Sequence, residues 1–369
     1  MSEKFIILFE DDPSERELIA SELKAILPND VSVYAFRGAP ASRKGPYETL
    51  LLYDLADVLP KTILILCDQD LSRLDGFGGL SANVVTSVAH DRSVPIALYG
   101  RGQDNKIFSR MRQKGPFLER RFMLDFDPEK PLAHFAAQVS ILFQGCQSIL
   151  EFMLAAQENS TGQLAGSPAK WLSDLLAVPE IQSGFALYGS GDQQYLQNLA
   201  FTNKIDFPDS GRMIACEISY WLWDSILRFP GILACRIASE SLLNIEQELL
   251  TDPKVAAIFE SAFYKGPFAG FGPYWWRHKI LELLDQSNVE DGLALVIKIL
   301  GSTYDSKRSR CCEDQSKPAG AYCMLSELPV SVENSYGDIP YFPAGADLAR
   351  ISTSQFERVA PWAGLDNSY

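Results

Sequence analysis

The stretch TILILCDQDLSRLDG, residues 62–76, decides the fold of the first half of the chain. It opens with an apolar run that ends abruptly at Asp68, and such a run is typical of a parallel strand buried on both faces. The stretch KFIILFEDD, residues 4–12, has the same arrangement, because its apolar run is followed directly by Glu10 and Asp11. The sequence therefore predicts two buried strands, each with acidic residues at its carboxyl end.

Strands and helices alternate on both sides of these runs, over residues 1–145. The spacing of apolar residues predicts strands at 4–9, 31–36, 62–67, 95–99 and 121–126, and helices at 14–26, 47–58, 104–113 and from Pro131 to 157. This alternation predicts an α/β domain with a doubly wound, five-stranded parallel sheet that carries helices on both faces. Ligands bind such sheets at the carboxyl ends of the strands, which is where the acidic residues fall.

Five carboxylates follow the first and third strands: Glu10, Asp11, Asp12, Asp68 and Asp70. Carboxylates that converge on one pocket repel one another unless a cation neutralises them. Oxygen ligands with room for water suit Mg²⁺, and a carboxylate beside that ion can attack a phosphoryl group. The alternative interpretation is a solvated strand end that binds no ion, and it applies most strongly to Asp12.

Two stretches resemble the receiver domain of two-component response regulators. IILFEDDPSERELI, residues 6–19, resembles the opening of that domain, in which a strand, an acidic pair and a helix follow one another. ILILCDQDLSRLDG, residues 63–76, resembles its acceptor site, where an Asp ends the third strand. In that family an Asp/Asn-Gly pair follows seven and eight residues later, and Asp75-Gly76 stand there in this chain.

The resemblance implies a flavodoxin-like receiver fold and a set of site residues. Asp68 would be the phospho-acceptor, and Asp11 would be a direct ligand of Mg²⁺. Glu10 would be a nearby or water-mediated ligand, and the backbone carbonyl of Asp70 would complete the protein's ligand set. The phosphoryl donor would be a sensor histidine kinase or a phosphotransfer protein.

Two receiver side chains that hold the phosphoryl group are missing. The Ser or Thr that ends the fourth strand falls at Tyr99 or Gly100, and the Lys that ends the fifth strand falls at Asp125. The aromatic switch position of the fifth strand is filled by Phe122, which a plain core residue would explain equally well. Cations that could substitute for the lysine lie nearby in sequence: Arg101, Lys114, Arg120 and Arg121. Without the hydroxyl and the ammonium, two charge-assisted contacts to a phosphoryl group are lost.

The predicted last helix of the receiver-like domain extends to 157, farther than such a domain needs. It would pair with a second copy of the chain, as a homodimer, or pack within the chain. Residues 158–169 have the composition of a linker. Residues 170–369 are predicted to be mainly helical, with a nearly all-apolar helix at 212–229 and further helices at 232–250, 253–264, 274–286 and 290–301. Short strand-like pieces with turns follow from Thr303.

The bulk composition narrows the function. Hydrophobic residues make up 47% of the 369-residue chain, as in globular proteins. A net charge of −14 repels phosphate backbones, so general nucleic-acid binding is disfavoured. No signal peptide or membrane-spanning run is recognisable. Seven cysteines without a signal peptide indicate reduced thiols and a cytoplasmic location.

The sequence as a whole favours a cytoplasmic, bacterial-type phosphorelay protein. In this interpretation Asp68 accepts a phosphoryl group with Mg²⁺, and residues 170–369 pass the state to an unknown output protein. One alternative is a pseudo-receiver scaffold that acts without phosphorylation. Another is an enzyme or effector, as in a bacterial defence system, with its site in the C-terminal half. No Walker loop or GxSxG motif supports an enzyme, and Cys311, Cys312 and Cys323 lack the paired spacing of a zinc site.

Overall fold

The computed structural model describes residues 3–38, 44–100, 120–127, 129–159, 166–189, 210–339 and 342–363. The chain forms two compact units. The first contains the described residues up to 100 and those among 120–171 and 210–221; the second contains those among 172–189 and 222–363. The predicted helix at 104–113, with Arg101 and Lys114, lies outside the described residues. The predicted domain and linker boundaries stay a prediction.

The first unit alternates strands and helices along the chain. Its elements are β1 (Lys4–Phe9), α1 (Pro13–Ile26), β2 (Val31–Phe36), α2 (Tyr47–Asp54), β3 (Thr62–Asp68), β4 (Asp70–Leu71), β5 (Leu80–Ser81), α3 (Ala82–Asp91), β6 (Ile96–Gly100), β7 (Phe122–Asp125), α4 (Leu132–Asn159) and, later in the chain, α7 (Ser210–Trp221). The helix predicted at 47–58 ends early, at Asp54, and a short 3₁₀ turn, Leu59–Lys61, leads into β3.

Five parallel strands form the central sheet in the order β2-β1-β3-β6-β7. This confirms the predicted α/β fold class and its five-stranded parallel sheet. The order reverses between β1 and β3, and such a switch point is where open α/β sheets bind ligands. The register places Phe9 beside Cys67 and Asp68 beside Tyr99, so the residues that follow β1 lie next to the end of β3.

Burial on both faces of the sheet explains the apolar runs. Ile7 and Ile65 belong to one core with residues of α2 and α3, among them Leu51 and Val85. Alternate residues of a strand point to opposite faces, so the fully buried Ile6 belongs to the other face. Helices α1 and α4 pack against one another. Both layers remove apolar surface from water, at about 25 cal/mol per Å² of apolar area buried.

Helix α7 lies at the amino ends of the strands. The Arg212 guanidinium donates to the carbonyls of Thr62 (2.7 Å) and Pro60 (2.9 Å), beside the start of β3. At the start of β6, the Ile96 N–H donates to the Tyr220 hydroxyl at 2.8 Å. The helix also packs along α4. It therefore belongs to the α/β unit, although it is distant from that unit in sequence.

The 28-residue helix α4 is long and apolar enough to cross a membrane by length and composition alone. Half of its most apolar window is buried inside the protein. Its buried residues, such as Val139, Phe143 and Ile149, are those expected of a core helix, and the helix contacts α1, α7 and β3. Packing within the chain accounts for these buried residues, and pairing with a second copy of the chain stays a prediction.

The second unit is mainly helical with two small sheets. In chain order it holds α6 (Gln182–Ala186), β8 (Leu233–Cys235), α8 (Arg236–Leu243), α9 (Pro253–Ile258), β9 (Tyr274–Trp276), α10 (Arg277–Ser287), α11 (Gly292–Leu300), β10 (Ala321–Cys323), β11 (Leu328–Val330), β12 (Ser335–Tyr336), β13 (Ala349–Ser352) and α12 (Thr353–Ala363). Helix α5 (Pro168–Leu175) spans the boundary between the units. The C-terminal strands form a four-stranded sheet in the order β11-β10-β13-β12.

Three predicted helices of this region are wrong in detail. The segments 232–250 and 274–286 do not start as helices, because their first residues pair as the antiparallel strands β8 and β9. The apolar stretch predicted as one helix at 212–229 is α-helical only to Trp221 and continues as a π-helical turn, Leu222–Leu227. In these short strands and in the π-helical turn, most residues are apolar and buried. Their sequence therefore shows no hydrophobic periodicity that would distinguish an α-helix from a short strand or a π-helical turn.

Candidate metal centre

Three carboxylates meet at the carboxyl edge of the sheet. Asp68 is the last residue of β3, and Glu10 and Asp11 directly follow β1, its neighbour. One carboxylate oxygen from each lies within 4.8 Å of those of the other two. Within the part of the chain that the structure describes, this is the only group of three or more side chains suited to bind a metal ion.

Glu10 is held by hydrogen bonds at both of its carboxylate oxygens. Its Oε1 accepts from the backbone N–H of Asp12 at 2.9 Å, and its Oε2 accepts from the hydroxyl of Tyr99 at 2.8 Å. The side chain is almost fully buried, and this burial raises its pKa despite the two donors. Glu10 is therefore fixed in position before any ligand arrives.

Asp68 carries the strongest electrostatic perturbation of the three acids. Burial, and then the nearby Glu10 carboxylate, raise its pKa to about 7, against the lowering effect of the backbone N–H groups of Asp70 and Gln69. Burial and a neighbouring carboxylate disfavour the charged form of Asp68, and a bound cation would offset that cost. The donors are all carboxylate oxygens, which fits Mg²⁺ or another hard divalent cation rather than a thiophilic metal.

The other two acids have separate roles. Asp12 caps helix α1, because its Oδ1 accepts from the backbone N–H groups of Ser14 (2.8 Å) and Glu15 (3.1 Å). The Asp70 carboxylate is exposed, and hydrogen bonds from the Ser72 side chain and from the Ser72 N–H, the latter at 3.0 Å, lower its pKa. The predicted use of the Asp70 carbonyl as a metal ligand stays a prediction.

Arg73 is a site residue that the sequence reasoning missed. Its backbone N–H donates to Asp11 Oδ2 at 2.8 Å, and its guanidinium reaches both carboxylate oxygens, with Nη2 at 3.0 Å from Oδ1 and Nε at 3.3 Å from Oδ2. The available signal was its place in the loop just after Asp68 and Asp70.

The predicted switch positions lie on β6 and β7. Gly100 ends β6 beside Asp125, which ends β7. Phe122 starts β7 and is fully buried, and its ring packs on that of Tyr220 at 5.0 Å between centroids, as a core residue would. Nothing in these contacts tests a switching role, which stays a prediction.

Of the three acids, Glu10 and Asp68 open into a cleft of about 430 Å³. Its lining consists of Glu10, Asp12, Glu15, Asp68, Gln69, Asp70, Arg73, Tyr99, Gly100 and Phe126. This volume accommodates a hydrated ion together with a small anionic group, and polar side chains converge on it.

Neither a scan of known protein-family models nor a search among curated proteins finds a match for the chain. The fold and the site geometry therefore carry the functional argument alone.

Proposed function

We propose that the first unit is a receiver-like phospho-acceptor, in which Asp68 takes a phosphoryl group in the presence of Mg²⁺. The observation that carries the proposal is the convergence of Glu10, Asp11 and Asp68 within 4.8 Å of one another. They meet at the switch point of a β2-β1-β3-β6-β7 sheet. A flavodoxin-like strand order and an acidic group at this edge are the two features that the sequence resemblance implies.

The chemistry is a single displacement at phosphorus. An Asp68 oxygen forms a bond to phosphorus while the bond from phosphorus to a phosphohistidine nitrogen, or to the acyl oxygen of acetyl phosphate, breaks. The leaving group keeps the electron pair; imidazole then binds a proton, whereas acetate needs none. Glu10, Asp11 and Asp68 would hold Mg²⁺, which when bound neutralises charge on the transferring oxygens.

A sensor histidine kinase or a phosphotransfer protein would supply the phosphoryl group in a cytoplasmic phosphorelay. The second unit would then contact an output protein. The departures at Tyr99 and Asp125 favour a second candidate, the pseudo-receiver scaffold. In that function Tyr99 on Glu10 and Arg73 on Asp11 serve as permanent partners of the acids, and the cleft binds neither metal nor phosphoryl group.

The deciding experiment is the intact mass of the full chain after incubation with Mg²⁺ and acetyl phosphate. The phospho-acceptor gains about 80 Da, the mass of one phosphoryl group. Asp68→Asn abolishes the gain, because an amide does not form the acyl phosphate. Asp70→Asn is the matched control: it changes a neighbouring acid of the same cleft but keeps the backbone carbonyl, so it still becomes labelled.

Labelling that survives Asp68→Asn would place the acceptor elsewhere and contradict the assignment. An absence of labelling, together with no change in thermal stability on adding Mg²⁺ and beryllofluoride, would favour the scaffold. Labelling that requires Mg²⁺ and Asp68 would establish the acceptor despite the missing hydroxyl and lysine.

A further inference from the structure

Arg73 already supplies a positive charge to the acidic group. Its backbone N–H and guanidinium together engage both carboxylate oxygens of Asp11. A metal ion that binds through Asp11 competes with these contacts, since the guanidinium and the ion seek the same oxygen lone pairs. In the metal-free protein, Asp11 is therefore already paired with a positive charge of the same chain.

The two partners differ in their freedom to move. The Asp11 side chain is 1% exposed, whereas that of Arg73 is 68% exposed. An arginine that is mostly in water loses little when it leaves one carboxylate, because water screens the exposed charge and solvates the released guanidinium. Its planar fork fits phosphoryl oxygens as well as carboxylate oxygens.

Arg73 also lies where a phosphoryl group on Asp68 would need a cation. Both residues line the same cleft, and of the described residues around it Arg73 alone is positively charged. The position that ends β7, where the resemblance would place a lysine, is Asp125. Among the described residues that line the cleft, a new phosphoryl group would thus find its cationic partner on the loop that follows β3.

We infer that Arg73 is a two-position residue: it holds Asp11 in the metal-free protein and turns to the phosphoryl group once this forms on Asp68. The inference rests on the proposed function. With acetyl phosphate, the Asp68 carboxylate becomes an acyl phosphate dianion and acetate leaves with the bonding pair, so no proton is required. Arg73 then pairs with the added negative charge and stands in for the missing lysine.

The test compares Arg73→Ala with the wild-type full chain in two assays. In calorimetric titration with Mn²⁺ alone, the variant binds about three- to tenfold more tightly, because the competing guanidinium is gone. In titration with beryllofluoride at saturating Mn²⁺, it binds about tenfold more weakly, because a charge-assisted contact is lost. Arg73→Lys keeps the charge without the fork and recovers part of the beryllofluoride affinity.

Arg37→Ala is the matched control, since it removes one exposed arginine of the same unit that pairs with Glu17. It leaves both affinities unchanged. Opposite shifts in the two assays support the inference, because simple damage to the site would weaken both. Unchanged affinities, or weaker Mn²⁺ binding, overturn it while leaving the proposed function intact. A wild-type protein that binds neither probe overturns both.

Discussion

The hydroxyl of Tyr99 donates to Oε2 of Glu10 at 2.8 Å, and both side chains are almost fully buried. Tyr99 pairs with Asp68 across β3 and β6, and its ring packs on those of Phe126 and Phe135, with centroids at 5.9 and 5.2 Å. The fourth strand of the parallel sheet, β6, thus carries a hydroxyl near its carboxyl end. This hydroxyl donates to Glu10, a candidate metal ligand, and is not free to donate to a phosphoryl group.

Tyr99→Phe should destabilise the metal-free protein by about 1–2 kcal/mol, because it leaves a buried carboxylate oxygen of Glu10 without its donor. The measurement is urea unfolding at pH 7 with a chelator present. Tyr47→Phe is the matched control. Its hydroxyl donates to the Gly78 carbonyl at a solvent-exposed place, so the loss should be about 0.5 kcal/mol or less. Equal losses of unfolding free energy in the two variants would show that the hydrogen bond of Tyr99 contributes no more to stability than the exposed one of Tyr47.

Asp68 should make the metal-free protein less stable as the pH rises. Its pKa is about 7 when folded, above its ordinary value of 3.8, so between these values the folded state holds a proton that the unfolded state has lost. Stability from this group is therefore complete at low pH and declines up to about pH 7.

Asp68→Asn removes this dependence. From pH 5 to pH 8 the wild-type protein should lose on the order of 1 kcal/mol more than the variant, since water screens a partly exposed carboxyl. Urea midpoints with a chelator present measure the difference. A variant that follows the wild-type pH profile would show that burial and the nearby Glu10 do not raise the pKa of Asp68 in the folded protein.

Tyr220 should be needed for the α/β unit even though it lies far along the chain. Its hydroxyl accepts the N–H of Ile96 at 2.8 Å, and Tyr220→Phe leaves that buried N–H unpaired, at a cost of about 1–3 kcal/mol. Faster hydrogen exchange at Ile96 would report the loss directly. Tyr53→Phe, on a side chain that is 71% exposed, should leave the exchange at Ile96 unchanged. Unaltered exchange at Ile96 in Tyr220→Phe would contradict the role of α7 as a cover for the strand ends.

The sequence predicted the acidic group because local patterns determine it. Apolar runs set the strand bounds, parallel strands bring their carboxyl ends together, and Glu10, Asp11 and Asp68 follow directly. The contacts of Arg73 and Tyr99 with these acids could not be predicted from the sequence, because a long side chain can turn in several directions and only tertiary packing selects one.

Long-range packing could not be predicted from the sequence either. The apolar residues of the helix Ser210–Trp221 predict that the helix is buried, but they do not predict which elements it packs against. Nothing local indicates that its partners are the amino ends of β3 and β6. The strands Leu233–Cys235 and Tyr274–Trp276 were missed for a related reason: each is three residues long and leads straight into a helix. Such short strands exist only because they pair with each other.

Gly38 controls the loop that carries Arg73. Its φ of +84° favours glycine, and a Cβ at this position would lie only 2.0 Å from the carbonyl oxygen of Asp75. Gly38→Ala should displace the loop after β3, and with it the backbone N–H of Arg73 that positions Asp11. It should so weaken Mn²⁺ binding by about tenfold, the cost of roughly 1.4 kcal/mol of site distortion. Calorimetric titration of the full chain measures this.

Gly78→Ala tests the specificity of that effect. Gly78 belongs to the same loop, but a Cβ there meets nothing within 4 Å, so this variant should bind Mn²⁺ as the wild type does. If both alanine variants bound Mn²⁺ normally, the position of the loop would not matter to the ion. If only Gly38→Ala weakened binding, the close approach of Gly38 to Asp75 would be part of what keeps the acidic group in order.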